Sequence, residues 1–316
     1  MKIAFMFPGQ GSQVVGMGKD FYEKYQDAKE VYDNASDILN IDMKKLCFES
    51  SQEELNKTSN TQIAIATTSL AILKVIKNKN INADICVGLS LGEYVALIEA
   101  GYISFEDGLE LLKKRGYYME HEIPNDNYLM AAIIGLDSKI IEEVCNTLLQ
   151  ENLFVVPANY NYSEQTVISG AEDAVKKAIE LLKEKGAKRA IPLKTSGPFH
   201  TKKLEKAKEL YSGELEKVDI NNNNISCEVI KNIDGTLYTK EDNIKDILSN
   251  HITNSVRFDK TIELMKNKGI DTFIEIGPGK AISSFVKKEL KDAEIKCYSI
   301  STIEDLENVV NSLKED

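Results

Sequence analysis

The chain has 316 residues, of which 42% are hydrophobic and 28% are charged, a balance that supports a large buried core. This composition excludes a disordered, collagen-like or coiled-coil chain. Asp and Glu number 50 against 39 Lys and Arg, for a formal net charge of −11. That charge argues against nucleic acid as a partner, because phosphate binding needs a basic surface.

The first part of the chain alternates buried strands with helices. An apolar run at 2–7 ends at Pro8-Gly9, and a second run at 84–87 ends at Gly88, so each predicts a buried strand that enters a tight turn. This succession predicts an α/β sheet with ligand loops at the carboxyl ends of its strands. The predicted helices lie at 20–39, 61–76, 92–100 and 105–121.

The middle of the chain has the order strand, helix, strand, strand, helix, strand, which is the ferredoxin-like pattern. We therefore predict an inserted small domain at 128–195, and a large domain built from 1–127 and 196–316. The predicted small-domain strands lie at 128–136, 154–159, 166–169 and 189–193, and its helices at 138–150 and 171–185. A strand at 272–276 and a helix at 281–290 follow in the large domain.

The cysteines and the apolar runs predict a cytoplasmic protein. The chain has five scattered cysteines, with no Cys-x-x-Cys spacing, which is typical of a reducing compartment. The apolar run at the N-terminus is too short for a signal-peptide core. No apolar run approaches the ~18 residues of a membrane span, so we expect no membrane partner.

The sharpest motif is Gly88-Leu89-Ser90-Leu91-Gly92, which fits Gly-x-Ser-x-Gly between a strand and a helix. The turn forces the serine into a strained conformation and holds its hydroxyl out at the edge of the sheet. The amide of Leu91 lies near the helix N-terminus, where it can donate to an oxyanion. The sequence therefore predicts Ser90 as a nucleophile, against the alternative of a serine that only caps a helix.

A serine nucleophile needs a base, and the chain has three histidines. His121 lies at a charged helix end and is expected to be solvated. His200 lies in a turn after a strand, a position that suits a general base, although a structural, hydrogen-bonded histidine is the alternative. His251 is ambiguous from its surroundings in the sequence.

Two glycine-rich segments are rejected as nucleotide signatures. Gly9-Gln10-Gly11 follows a strand, but Val14 occupies the place of the third glycine. Gly277-Pro278-Gly279-Lys280 lacks both the spacing and the Ser/Thr of a phosphate loop.

Taken in order, the motifs resemble the malonyl-CoA:acyl-carrier-protein transacylases, which are acyltransferases of fatty acid and polyketide synthesis. The match extends over nearly the whole chain. It includes Phe7-Pro8-Gly9-Gln10-Gly11-Ser12-Gln13, Gly16-Met17-Gly18, Thr61-Gln62, the Ser90 motif with Glu93-Tyr94, Lys114-Arg115-Gly116, Asn159-Tyr160-Asn161, Gln165 to Gly170, Gly186 to Ala190, Gly197-Pro198-Phe199-His200, Val256-Arg257-Phe258 and Glu275 to Gly279. The resemblance implies a hydrolase-like α/β domain that carries a ferredoxin-like insertion.

The resemblance also implies the chemistry. Ser90 would be the nucleophile and His200 its base, and the amides of Gln10 and Leu91 would bind the oxyanion. A backbone carbonyl, here that of His251, would orient the base in place of an acidic side chain. Glutamine is usual at that position, and histidine is usual at the position of Leu89.

The same resemblance implies the binding residues. Only three of the 39 cations are arginines, the residue suited to bidentate recognition of carboxylates and phosphates. Arg115 would pair with the free carboxylate of a malonyl group, and Arg257 would be structural. Gln62 would line the malonyl pocket, Phe199 would crowd an α-methyl group, and Asn159, Asn161 and Arg189 would contact the pantetheine or phosphate end of coenzyme A.

The implied function is malonyl transfer from malonyl-CoA to the phosphopantetheine thiol of a holo acyl carrier protein, with no permanently bound cofactor. A trans-acting acyltransferase of a polyketide assembly line is an alternative, as are a serine thioesterase and a non-catalytic module that binds carrier proteins. Carrier proteins are acidic, so docking is expected at a local basic patch. The candidate lysines follow His200 and are Lys202, Lys203, Lys206 and Lys208; a solvated helix face is the alternative.

Overall fold

The structure is a computed structural model that describes residues 1–193, 195, 197–221 and 224–314. In the described part of the chain the strands are β1 (Ile3–Phe7), β2 (Ile85–Gly88), β3 (Tyr128–Ile134), β4 (Val155–Tyr162), β5 (Gln165–Ala171), β6 (Arg189–Leu193), β7 (Glu228–Val229), β8 (Val256–Arg257), β9 (Thr272–Ile276) and β10 (Lys296–Ile300).

The helices are α1 (Lys19–Lys24), α2 (Gln26–Leu39), α3 (Gln52–Leu55), α4 (Thr58–Lys77), α5 (Gly92–Ala100), α6 (Phe105–His121), α7 (Ser138–Gln150), α8 (Glu172–Glu184), α9 (Glu205–Leu215), α10 (Ile244–His251), α11 (Phe258–Asn267), α12 (Ala281–Glu289) and α13 (Ile303–Lys314). The helix predicted at 20–39 is two helices, because Tyr25 is extended (φ −116°, ψ 122°) and interrupts the turn between α1 and α2.

The first sheet is parallel and has the strand order β10-β9-β1-β2-β7. Every residue of β1, β2 and β9 is buried, as expected for parallel strands that helices cover on both faces. The carboxyl ends of β1 and β2 lie side by side, with Phe7 opposite Gly88. The loop after β1 and the Ser90 turn therefore meet at one edge of the sheet.

The second sheet has the order β6-β3-β5-β4-β8. Its first four strands pair antiparallel in the ferredoxin-like arrangement, and β8 adds in parallel to β4 from outside the predicted insertion. The predicted fold class, a parallel α/β sheet with a ferredoxin-like unit, is confirmed. The predicted boundaries at 128 and 195 stay a prediction, and Ser196, the first residue of the predicted second segment, lies outside the described residues.

The alternation of side chains along β3 separates the core of the second sheet from a cavity. Ala131 and Ile133 pack with the apolar faces of α7 and α8, for example against Val144. Met130 and Ala132 point the opposite way and line a cavity between the two sheets. The fold thus places residues from several elements around one cavity.

Candidate active site

The turn between β2 and α5 strains Ser90 and is made possible by the two glycines that flank it. Ser90 has φ +56°, a left-handed conformation that is costly for a residue with a side chain. A Cβ on Gly88 would lie 1.9 Å from the carbonyl carbon of Gly92, and a Cβ on Gly92 would lie 2.2 Å from the carbonyl oxygen of Phe7. Strand and helix therefore approach so closely that only glycine fits at both positions.

Asn232 holds this turn in place. Its Oδ1 accepts the Ser90 backbone N–H at 2.8 Å, and its Nδ2 donates to the Gly88 carbonyl at 2.7 Å. Its own backbone N–H donates to Oε1 of Glu93 at 3.0 Å. Sequence reasoning did not find Asn232, because it lies 142 positions from Ser90 in a turn with no motif of its own.

Ser90 and His200 form a hydrogen-bonded pair. The Ser90 Oγ lies 2.9 Å from Nε2 of His200, and Nδ1 of His200 lies 3.0 Å from the carbonyl oxygen of His251. Since a carbonyl only accepts, Nδ1 carries the proton and Nε2 is free to accept the serine hydroxyl proton. The pair can therefore remove the proton from Ser90, with a backbone carbonyl orienting the ring.

Burial lowers the pKa of His200 well below its usual value, and the nearby His251 and Arg115 lower it further. The residue is only 4% exposed, so the charged form of its imidazole loses most of its hydration. His200 is therefore unprotonated, and able to act as a base, at neutral pH.

Arg115 brings a buried positive charge to the serine. The residue is 1% exposed, and its guanidinium donates to Oε1 of Gln62 at 2.7 Å and to Oγ of Ser90 at 3.1 Å. The Nε of Arg115 has no hydrogen-bond partner among the described residues. A buried guanidinium with an unused donor is suited to bind a carboxylate.

Two residues with candidate oxyanion-binding amides line the cavity. Gln10, in the loop after β1, and Leu91, at the start of α5, both line the cavity beside Ser90. A Cβ on Gly9 would lie 2.6 Å from the carbonyl oxygen of Leu89, which shows how closely the two loops approach. Neither amide donates a hydrogen bond to another described residue, so both can bind an oxyanion.

The cavity has a volume of about 400 Å³ and brings most of the predicted residues together. Its walls include Gln10, Gln62, Ser90, Leu91, Arg115, Asn159, Asn161, Phe199 and His200. Asn161 is buried, with Oδ1 unpartnered among the described residues, so it can bind a polar group of a ligand. Arg189 is exposed at the first residue of β6 and is not part of the cavity wall.

The lysines after His200 differ in their surroundings. Lys206 pairs with Glu122, and Lys208 pairs with Glu205 at 2.9 Å. The ammonium of Lys203 lies 4.9 Å from the ring centroid of Phe154.

The described residues contain no cluster of three or more His, Cys, Asp or Glu side chains that could hold a metal ion. None of the described helices combines the length and the apolar composition that a membrane crossing requires. All five cysteines are free thiols: Cys47, Cys86, Cys145, Cys227 and Cys297.

A strained serine with a histidine base, two free backbone amides in the cavity wall and a buried arginine, on an α/β fold, are the features of a serine-dependent acyltransferase. The comparison with known families agrees: the model of the acyl transferase domain matches residues 4–313. The chain belongs to the acyl transferase domain family.

Particular relatives extend over the whole chain. The malonyl CoA-acyl carrier protein transacylase of Bacillus subtilis is 42% identical over 315 residues, which is 100% of this chain and 98% of the relative. The protein of that name from Staphylococcus aureus (strain MRSA252) is 36% identical and covers 96% of this chain and 97% of its own length. The solved malonyl CoA-acyl carrier protein transacylase of Clostridium perfringens superposes with a TM-score of 0.94 at 42% identity, and it covers 100% of this chain and 98% of its own.

Proposed function

We propose that this chain transfers the malonyl group of malonyl-CoA to the pantetheine thiol of an acyl carrier protein, through a malonyl ester on Ser90, to supply fatty acid synthesis. The observation that carries the proposal is the 3.1 Å contact between the Arg115 guanidinium and the Ser90 hydroxyl at the cavity between the two sheets. Relatives and solved structures that match over the full length and bear the name of this reaction support it.

The first half-reaction forms the malonyl ester. Nε2 of His200 takes the Ser90 proton as Oγ attacks the thioester carbonyl, and the amides of Gln10 and Leu91 stabilise the negative tetrahedral oxygen. Removing one such donor typically costs about 2.7–4 kcal/mol of transition-state stabilisation. The imidazolium then gives its proton to the departing coenzyme A thiolate, which leaves as a thiol.

The second half-reaction reverses these steps with a different thiol. The pantetheine of the carrier protein enters the same cavity, loses its proton to His200 and attacks the malonyl ester. Ser90 leaves with that proton, which completes a ping-pong cycle. No permanently bound cofactor takes part in the proposal, since the phosphopantetheine belongs to the carrier protein.

Arg115 sets the acyl preference in this proposal. A malonyl carboxylate pairs with the guanidinium, whereas an acetyl group leaves it buried without an anion. Phe199 lies in the cavity wall beside His200 and crowds an α-methyl branch. Asn159 and Asn161 line the same cavity and are assigned to the pantetheine arm, while the exposed Arg189 is assigned to the phosphate end of coenzyme A.

Intact mass spectrometry tests the proposal. After mixing with malonyl-CoA, we expect a malonyl adduct that Ser90→Ala lacks and that holo acyl carrier protein discharges. Preferential acetylation by acetyl-CoA would refute the assigned substrate. Steady release of coenzyme A without an acceptor would instead indicate the thioesterase alternative.

The polyketide alternative has one specific observation in its favour. A solved complex of a malonyl-transacylase with a type II polyketide synthase acyl-carrier protein superposes with a TM-score of 0.93 at 32% identity, and it covers 99% of this chain and 100% of its own. Discharge of the malonyl enzyme by fatty-acid and polyketide carrier proteins in parallel separates the two pathways. A faster transfer to the fatty-acid carrier is the expected result.

We place the activity in the cytoplasm. The five free thiols fit a reducing compartment, and an acyl carrier protein and malonyl-CoA are the substrates that the proposal requires there.

A further inference from the structure

The side chain of His251 lies against the imidazole that the proposed mechanism uses as its base. The ring centroids of His200 and His251 are 4.8 Å apart, with an angle of 29° between the ring planes. The carbonyl of the same residue accepts the Nδ1–H of His200 at 3.0 Å. His251, the last residue of α10, therefore holds His200 through its backbone and its ring together.

A buried carboxylate contacts the His251 ring. Oε2 of Glu93 lies 3.0 Å from Nδ1 of His251, and the two side chains are each 1% exposed. The other carboxylate oxygen accepts the backbone N–H of Asn232 at 3.0 Å and the hydroxyl of Tyr238 at 2.8 Å. Both contacts of that oxygen come from donors, which is how a carboxylate oxygen accepts hydrogen bonds.

An ionised carboxylate at this depth requires a cation. Neither ring nitrogen of His251, nor Oε2 of Glu93, makes an aligned hydrogen bond within the described part of the chain. Their 3.0 Å approach is therefore explained best by attraction between opposite charges. A proton on the His251 ring provides the missing positive charge.

The other titratable groups around this pair are engaged elsewhere. The buried cation of Lys231, beside the Tyr238 ring, pairs with Asp242 at 3.1 Å. Arg115, on α6, is engaged with Gln62 and Ser90. Burial raises the pKa values of three nearby tyrosines on α5, on α9 and before α10, so these hydroxyls stay neutral: Tyr94, Tyr211 and Tyr238. On α10 itself, Lys245 is partly exposed and lies 3.6 Å from Glu216. Asp246 is exposed and accepts a hydrogen bond from the side chain of Asn243.

We propose that His251 is a positioning residue that is protonated at neutral pH, paired with Glu93, and that its charged ring keeps His200 neutral and aligned to receive the Ser90 proton. A positive charge on one of two stacked imidazoles disfavours a second positive charge on the other. The effect of the His251 charge on catalysis rests on the function proposed above. The charge state itself is a property of the free protein and can be measured without substrate.

Nuclear magnetic resonance of the free protein tests the charge state. The chain has three histidines, so His121→Gln and His251→Gln assign the ring ¹⁵N signals. At pH 7 we expect both His251 ring nitrogens in the protonated range and His200 as a neutral imidazole. Glu93→Gln should return His251 to the neutral form at that pH. A neutral His251 in the wild type overturns the proposal, whether or not the variants fold.

The pH profile of Ser90 malonylation tests the effect on the base. His251→Gln keeps the backbone carbonyl and removes the ring charge, so the acid limb of the rate should move up by about one pH unit. The exposed His121→Gln is the matched control and should leave the profile in place. A His251→Gln enzyme that is slower at every pH, with an unmoved acid limb, would show that the ring is only structural.

The two proposals fail in different ways. A wild type that takes no malonyl group but shows a protonated His251 contradicts the proposed function and leaves the charge assignment intact. A wild type that is malonylated on Ser90 but shows a neutral His251 contradicts the charge assignment alone.

Discussion

At the scale of single residues, the site depends on buried polar groups that satisfy one another. Ser90 accepts a hydrogen bond from Arg115 and donates one to His200, while Asn232 fixes the backbone that carries it. Such groups are costly when one partner is removed, because the other loses both its water and its bond. Substitutions here should therefore affect both folding and chemistry.

Arg115→Ala should abolish the preference for malonyl-CoA over acetyl-CoA. Losing a buried charge partner typically costs 2–5 kcal/mol, so malonylation of Ser90 should fall by about 30-fold or more. Rapid-quench mass spectrometry with each acyl-CoA measures the two rates. Arg115→Lys is the matched variant, because it keeps the charge but loses the planar fork, and it should retain only part of the preference. An unchanged ratio in Arg115→Ala would remove this residue from substrate selection.

Asn232→Ala should loosen the Ser90 turn. The Ser90 N–H and the Gly88 carbonyl would each lose a buried partner, at about 1–3 kcal/mol of unfolding free energy. Urea unfolding measures this loss, and the rate of Ser90 malonylation should drop in the folded variant. Asn78→Ala removes an exposed bond to Asp27 and serves as control, with an expected change below about 0.5 kcal/mol. Equal unfolding free energies in the two variants would contradict the role of Asn232.

At the scale of elements, the site lies where the start of α5 packs against the carboxyl end of β1. The two backbones are so close there that only glycine fits at position 92. The second sheet adds the opposite wall, since alternate side chains of β3 face the cavity while the others face α7 and α8. Helix α10 then presents a carbonyl and a ring to His200. Each element contributes one or two groups, so the geometry of the site depends on how the elements pack.

Gly92→Ala should prevent the close crossing of α5 and β1. Its Cβ would lie 2.2 Å from the Phe7 carbonyl oxygen, which is backbone and cannot move aside, so we expect a loss of more than about 3 kcal/mol or a failure to fold. Gly213→Ala is the control, because that position in α9 has open space around it. There, replacing glycine in a helix should stabilise the protein by up to about 1 kcal/mol. Thermal unfolding followed by circular dichroism compares the two, and a stable Gly92→Ala would contradict the steric argument.

At the scale of the whole molecule, the net charge of −11 opposes the approach of an acidic carrier protein. Docking then needs a local positive surface. Of the lysines after His200, Lys206 and Lys208 are partly neutralised by ion pairs, so Lys202 and Lys203 are the stronger candidates.

Reversing these two charges, Lys202→Glu with Lys203→Glu, should raise the KM for the acyl carrier protein several-fold and leave Ser90 malonylation by malonyl-CoA unchanged. The effect should weaken with added salt, because exposed charges are screened. Lys29→Glu with Lys266→Glu, at exposed positions of α2 and α11, is the control, because it makes the same change in net charge. Unchanged carrier kinetics in the double variant would place the docking surface elsewhere.

The sequence by itself determined the elements and the residues with a local signature. Gly88-x-Ser90-x-Gly92 predicts its strained turn because the steric clash acts within five residues. The β-α-β-β-α-β order of the middle segment predicts its sheet because that succession of elements is typical of the ferredoxin-like arrangement. The position of His200 in a turn after a strand made it a candidate base, and the resemblance over the whole chain assigned it to Ser90. The resemblance alone added Arg115 and Gln62, which no spacing rule connects to Ser90.

Only the tertiary structure decided which distant groups meet. Asn232, Glu93 and the His251 ring come together through the packing of α5, α10 and the turn after β7, and their positions in the chain carry no pattern that predicts it. The fifth strand of the second sheet, β8, likewise joins from outside the segment whose order predicted that sheet. Local steric effects and the alternation of side chains along a strand depend on neighbouring residues. The pairing of buried polar groups depends instead on contacts that form only when the chain has folded.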